Sequence, residues 1–246
     1  MLPTDPTPPT DPMLSAELIA FRNDATGERA ALTAAELGGW TAATAALLVD
    51  ECGLGPGARA AVLLPPHWQT AAVLLGAWSA GVEVAFRGWA TAGLAPAGDP
   101  LDVSFVQARR VGNWLDEVPS ATHQFVLGLA PSAAPVDGVP DGYRDFPTAV
   151  RPHLGAAPPQ PTTEAHRPAG VDGTTFGEYG AVAAEIAAVN GIARGDRVLV
   201  DAAKEDPLFW LLAPLSVGAS VVICHNLDRA RLDATIAEER ATRVLA

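Results

Sequence analysis

Cys224 and His225 are adjacent, and a thiol beside an imidazole is the pairing that activates a nucleophilic cysteine when the two side chains meet. The surrounding run Ser220 to Cys224 reads as a strand, however, and strand neighbours point to opposite faces, so the two groups are expected to be held apart. His67, His123, His153, His166 and His225 show neither H-x-x-x-H nor H-x-x-E spacing, and no metal set is expected from them. Gly55-Pro56-Gly57-Ala58-Arg59-Ala60 fits G-x-G-x-x-A. A dinucleotide loop follows a strand and opens a helix, whereas this one follows a helix and opens a strand, which makes it a turn with helix-capping glycines. No G-x-S-x-G elbow supplies a hydrolase nucleophile. Lys204 is the sole lysine among 16 basic residues, so every other fixed cation is an arginine.

The elements that must position these residues follow from capping and periodicity. Thr33 to Glu36 spells T-x-x-E, a capping box, and the same box recurs at Thr175 and Glu178. After the first box come a helix to about Cys52, the turn Gly53 to Arg59, a strand Ala60 to Leu64, a helix from near Pro66 to Ala80, and a strand Val82 to Phe86. After the second come a helix to about Asn190, the turn Gly191 to Arg197, a strand Val198 to Val200, a helix from near Pro207, and a strand Ser220 to Cys224. The two turns align without a gap, which reads as an internal repeat. Between the copies we read a strand near Val103 to Val106, a helix from about Arg110 to Glu117, a strand near Gln124 to Leu127 and a short helix around Phe146 to Leu154. Asp228 is expected to cap a helix Arg229 to Arg240 with a solvated charged face, followed by a strand Arg243 to Ala246. Apolar strands alternating with helices imply parallel sheets covered on both faces.

Composition narrows the field. The 246 residues are 49% hydrophobic and 18% charged, which excludes wholesale disorder. A net charge of −12 repels polyphosphate backbones and anionic lipid, so nucleic-acid and membrane partners are not expected. Met1 to Pro12 has no basic residue and no apolar core, and residues 1–14 are read as a disordered tail rather than a signal. Cys52 and Cys224 form no CxxC and read as buried thiols of a reduced, cytoplasmic protein. Trp68, Trp78 and Trp89 cluster in the first copy; they read as core anchors or, alternatively, as a flat surface for a ligand or partner.

The wording of the first copy resembles the front of the AMP-binding, adenylate-forming enzymes, the superfamily of acyl-CoA synthetases, luciferases and peptide-synthetase adenylation domains. The residues carrying the resemblance are Thr33 to Leu37, Gly53 to Val62, Ala71 to Gly81 and Val82 to Phe86, and more narrowly they are similar to a short single-domain branch of high-GC bacteria. The resemblance covers Ser15 to Ala246, about the first half of a full-length member. It implies an α/β fold of two similar, mainly parallel sheets with sandwiching helices. It also implies a first unit at 15–130, a connection at 131–173 and a second unit at 174–246, together one AMP-binding-like domain.

The resemblance further implies a phosphate loop, T-S-G-T-T-G-x-P-K-G, whose amides, hydroxyls and lysine hold ATP. In register it falls on Pro161 to Gly170, reading P-T-T-E-A-H-R-P-A-G. Pro168 and Gly170 survive, Ala169 takes the lysine's place, and Glu164 and His166 take two small positions. An alternative register sets Gly173-Thr174-Thr175 on the G-T-T core but consumes the capping box and puts Tyr179 at the lysine. Losing the lysine and one or two donors costs roughly 3 to 6 kcal/mol, on the order of 10² to 10⁴ in affinity. The chain also stops short of the family's later magnesium, ribose and lysine segments. Family-type ATP-dependent adenylation is therefore not expected, and no catalytic residue and no metal ligand is named. Arg167, Gly170, Gly173, Thr174 and Thr175 are the candidate residues of a degenerate site for ATP, AMP or an acyl ligand. The alternative is a structural or interaction protein that uses a sheet edge to form a homo-oligomer or hold a partner. A residual ATP-using ligase is the third reading.

Overall fold

The computed structural model describes residues 16–86, 101–113, 118–157 and 164–245. Among these residues the strands form two five-stranded sheets. The first is wholly parallel, in the order β4 (Glu83–Phe86), β3 (Arg59–Leu63), β5 (Leu101–Gln107), β6 (Ala121–Leu127), β7 (Arg144–Asp145). The second runs β10 (Arg243–Leu245), β8 (Arg197–Asp201), β9 (Ser220–His225), β1 (Glu17–Asn23), β2 (Arg29–Thr33), parallel except for the β1–β2 hairpin. The α/β class with two mainly parallel sheets is thus the one expected from sequence.

Helices α1 (Ala34–Ala46), α2 (Trp68–Ser79) and α4 (Phe176–Val189) begin where the sequence places their caps. In both boxes the threonine hydroxyl accepts the third amide and the glutamate accepts the cap amide, at 3.2 and 2.7 Å for Thr33 and Glu36 and at 3.3 and 2.8 Å for Thr175 and Glu178. The first helix widens into a π turn at Leu47–Glu51, and the helix from Pro207 is a π turn, Leu208–Leu212, followed by α5 (Ala213–Ser216). Helix α2 is buried nearly all round, and Gly76 lets it approach α1: a Cβ there would lie 2.5 Å from that of Thr44. Short helix α3 (Phe146–Val150) starts on Asp145, and Asp228 caps a 3-10 turn leading into α6 (Leu232–Glu239).

Two parts of the chain differ from the sequence reading. Residues 17–33 fall in the expected first unit, 15–130, yet β1 lies between β9 and β2 in the sheet built from 197–245, so the amino-terminal hairpin crosses to the other half. The helix expected from Arg110 to Glu117 is a single 3-10 turn, Ala108–Arg110, as far as residue 113, and residues 114–117 lie outside the described residues, as do 1–14, Trp89 and Pro161 to Thr163 of the phosphate loop.

Two polar knots join the parts. Glu239, 4% exposed, accepts from Arg29 at 2.9 Å and Arg197 at 3.2 Å, and Glu17 accepts from the same two arginines, which fastens β1, β2, β8 and α6. Burial pushes the Glu239 carboxyl up, and the arginines more than offset it, leaving it below the ordinary carboxylate value. Between the sheets, Phe21 meets His67 edge-on at 4.4 Å and His225 at 5.1 Å, and His225 Nε2 lies 2.6 Å from the Pro66 carbonyl. His67 is 1% exposed and its Nδ1 accepts the Gln69 amide, capping α2.

Burial, helped by neighbouring His225, holds His67 well below the ordinary 6.5. Its neutral form is the folded form, so its contribution is complete above the unfolded pKa and is lost as pH falls below it. Chemical denaturation followed across pH should show stability declining below about pH 6.5, with His67 supplying up to about 1.4 kcal/mol per pH unit. His67→Asn, which keeps a cap acceptor, should remove that share of the slope; an unchanged slope would mean that His67 is protonated in the fold.

Candidate functional site

The segment 164–179 is a hairpin that runs into α4. Pro168 and Thr175 form an antiparallel bridge, and Gly170 pairs in parallel with Val84 of β4, so the segment extends the first sheet beyond its β4 edge. The amides of Ala169 and Gly170 both donate to the Thr174 carbonyl, at 2.8 and 3.0 Å, and that of Gly173 donates to Gly170. Thr174 donates to the Asp172 carboxylate at 3.0 Å. At the helix start, Phe176 donates to the Arg167 carbonyl and Gly177 to that of Ala165, while Glu178 and Thr175 satisfy one another in the capping box. The first-turn amides that make a helix start an anion site are therefore already engaged by protein acceptors.

The five sequence-predicted residues are brought together, but their groups are turned to the fold. Thr175 is the helix cap, Thr174 supplies the hairpin carbonyl, and Gly173 holds the turn with φ +87°. Gly170 lies in close approach to two side chains: a Cβ would stand 2.5 Å from Asp172 Oδ1 and 2.8 Å from the Tyr179 hydroxyl, so both would have to shift. Arg167 is paired with Glu164 at 3.3 Å. Ala169, which the first register sets against the lysine of the resemblance, is fully buried, and its carbonyl accepts the Trp78 indole N–H at 3.1 Å. The register that matches Gly173-Thr174-Thr175 does consume the capping box.

Two cavities flank this hairpin and the strand ends. One, of about 340 Å³, is walled by Trp78, Phe86 and Tyr179 and rimmed by Asp172 and Asp206. Burial raises the Tyr179 phenol above its ordinary value, and the charges of Asp172 and Asp206 push it the same way. The other, of about 420 Å³, lies past the carboxyl ends of β3, β5, β8 and β9, where Arg109, Arg110, Asp201 and His225 meet. Parallel sheets place ligands at such ends. Sequence reading missed both groups, because Arg109, Asp172 and Asp206 belong to no motif and share only their place in three dimensions.

Cys224 does no chemistry with His225. Its side chain packs with Ala20, Leu199 and Val222 on one face of β9, and burial pushes the thiol up to about 12, while His225 points to the opposite face and Pro66. Among the described residues no three His, Cys, Asp or Glu side chains are grouped to hold a metal. No helix of these residues is long and apolar enough to cross a membrane.

Comparison with known proteins sets this geometry in context. No family model matches the chain. Among solved structures, a benzoate CoA ligase from Burkholderia xenovorans LB400 superposes with a TM-score of 0.63 at 19% identity, over 94% of this chain and 47% of the other. A Brucella canis acyl-CoA synthetase gives 0.62 at 17%, over 93% and 44%. The chain therefore spans about half the length of these ligases and shares their fold over that length. A Mycobacterium tuberculosis (strain ATCC 25618 / H37Rv) protein described as a TIGR03089 family protein is 39% identical over 246 residues, covering 96% of this chain and 95% of its own. The chain belongs to the TIGR03089 family.

A lysine placed at residue 169 should not be accommodated. Ala169→Lys forces an ammonium into a fully buried position and should lower unfolding free energy by at least about 3 kcal/mol in denaturant titration. A variant as stable as the parent would show that the Ala169 side chain can reach solvent.

Proposed function

We propose that this protein is a catalytically degenerate member of the adenylate-forming fold, working by binding rather than by acyl adenylation. One observation carries the reading: the amides of residues 169–171 and 173–179 all have protein acceptors, so a triphosphate placed here would have to displace bonds already made. The neighbouring charges work in the same direction. Arg167 is matched by Glu164, and the cavity beside the hairpin carries Asp172 and Asp206. Each charge-assisted contact to phosphate is worth about 1.5 to 3 kcal/mol, and the hairpin offers no surplus of them. ATP and AMP, which the resemblance implies, thus have little to hold them in the hairpin, and the two cavities are open to a small ligand of other chemistry.

The purified protein should show no carboxylate-dependent exchange of pyrophosphate into ATP and no thermal shift with ATP at millimolar concentration. Formation of an acyl-adenylate from any carboxylic acid would sink the reading.

A second reading, assembly, is favoured by one feature. Helix α4 buries only Ala183 and Ala187, while Val182 and Val189 are 42% and 80% exposed on it. The binding role expects a monomer in light scattering at micromolar concentration. A dimer that Val182→Lys with Val189→Lys dissociates would move the function to assembly.

A further inference from the structure

The cavity beside the hairpin has a chemistry opposite to that of a phosphate site. Its walls include Trp78, Phe86 and Tyr179, with Trp78 and Tyr179 centroids 6.1 Å apart and tilted by 60°. Its charged lining consists of the two carboxylates Asp172 and Asp206, and no Lys, Arg or His lines it among the described residues. Both carboxylates are fixed by their own backbones: Asp172 accepts the Thr174 amide at 3.0 Å and Asp206 the Leu208 amide at 2.9 Å. Both also bear on one group, since each raises the Tyr179 phenol after burial has done so.

We propose that this cavity binds a small organic cation, an amine or quaternary ammonium carried on an apolar or aromatic body. Aromatic faces attract a cation through their quadrupoles, and the rim carboxylates supply the counter-charge. An inorganic divalent ion is a poorer match: it takes six or more oxygen ligands, and here two carboxylates stand among aromatic walls. At about 340 Å³ the space suits one ring with a short chain. The proposal deepens the binding role above and rests on it, but it does not depend on the absence of adenylation. Pyrophosphate exchange and cation binding can therefore succeed or fail separately.

The test is tryptophan fluorescence and calorimetric titration of the whole protein with phenethylammonium, tetramethylammonium and the anionic isostere phenylacetate. Phenethylammonium should bind at least about tenfold more tightly than phenylacetate and weaken as salt rises from about 50 to 500 mM. Asp172→Asn and Asp206→Asn keep an acceptor oxygen for the backbone amide and remove only charge; together they should weaken the cation about tenfold. Equal or tighter binding of phenylacetate, no binding of either cation up to about 10 mM, or cation binding indifferent to both salt and the double variant would each overturn the proposal. Because the ligand comparison and the salt dependence use the parent protein, a variant that folds poorly leaves the test intact.

Discussion

A backbone amide taken out of water must find an acceptor, and the amides of residues 169–171 and 173–179 find theirs within the protein. That constraint links the fold to the chemistry. Gly170 completes a parallel bridge to Val84, which sets Ala169 into the core beneath Trp78, whose indole then takes the Ala169 carbonyl. Residue 169 lies buried between the bridges at Pro168 and Gly170, and its amide and that of Gly170 are turned to the Thr174 carbonyl. The amides of Ala169, Gly170 and Gly173 bond within the hairpin, while the bonds of Val84 with Ala169 and Val171 hold it on the first sheet.

Electrostatics follow the same division. With 16 basic residues against 28 acidic ones, arginines are scarce, and several are committed to holding elements together. Arg29 and Arg197 share Glu17 and Glu239, Arg22 holds Asp24 and Glu238, and Arg144 pairs with Glu51. The buried member of the first group, Glu239, is the one whose loss would cost most, since removing one partner leaves charge in a low-dielectric place. With Arg167 set against Glu164, the cavity walled by Trp78, Phe86 and Tyr179 keeps two carboxylates and acquires a negative field.

How much of this was legible beforehand depended on whether the signal was local. The boxes at Thr33 and Thr175 are complete within four residues, and both helices start there. The strands from Arg59, Glu83, Arg197 and Ser220 are short apolar runs bounded by glycine turns. The amino-terminal hairpin escaped notice because Leu18 to Phe21 is a short run whose partner, β9, lies about two hundred residues away in the chain; only the turn ending at Gly27, with φ +74°, marked it locally. Of the helix expected from Arg110 to Glu117, the described residues to 113 show a 3-10 turn, Ala108–Arg110, and Gly112 takes φ +78°, a conformation that does not continue a helix. Around the hairpin, sequence register named Arg167, Gly170, Gly173, Thr174 and Thr175 but not Asp172, Asp206, Trp78 and Phe86, which line the cavity beside them.

The amino-acid sequence alone determined the alternation of helix and strand, the caps, the parallel character of the sheets and the absence of a lysine from Pro161 to Gly170, because each is fixed by residues within one or two turns of chain. Tertiary structure alone decided which strands share a sheet, where the hairpin amides find acceptors, and that Asp172, Asp206, Trp78 and Tyr179 face one cavity. Those outcomes depend on partners more than twenty residues apart, brought together only when the two sheets and their helices exclude water from a common core.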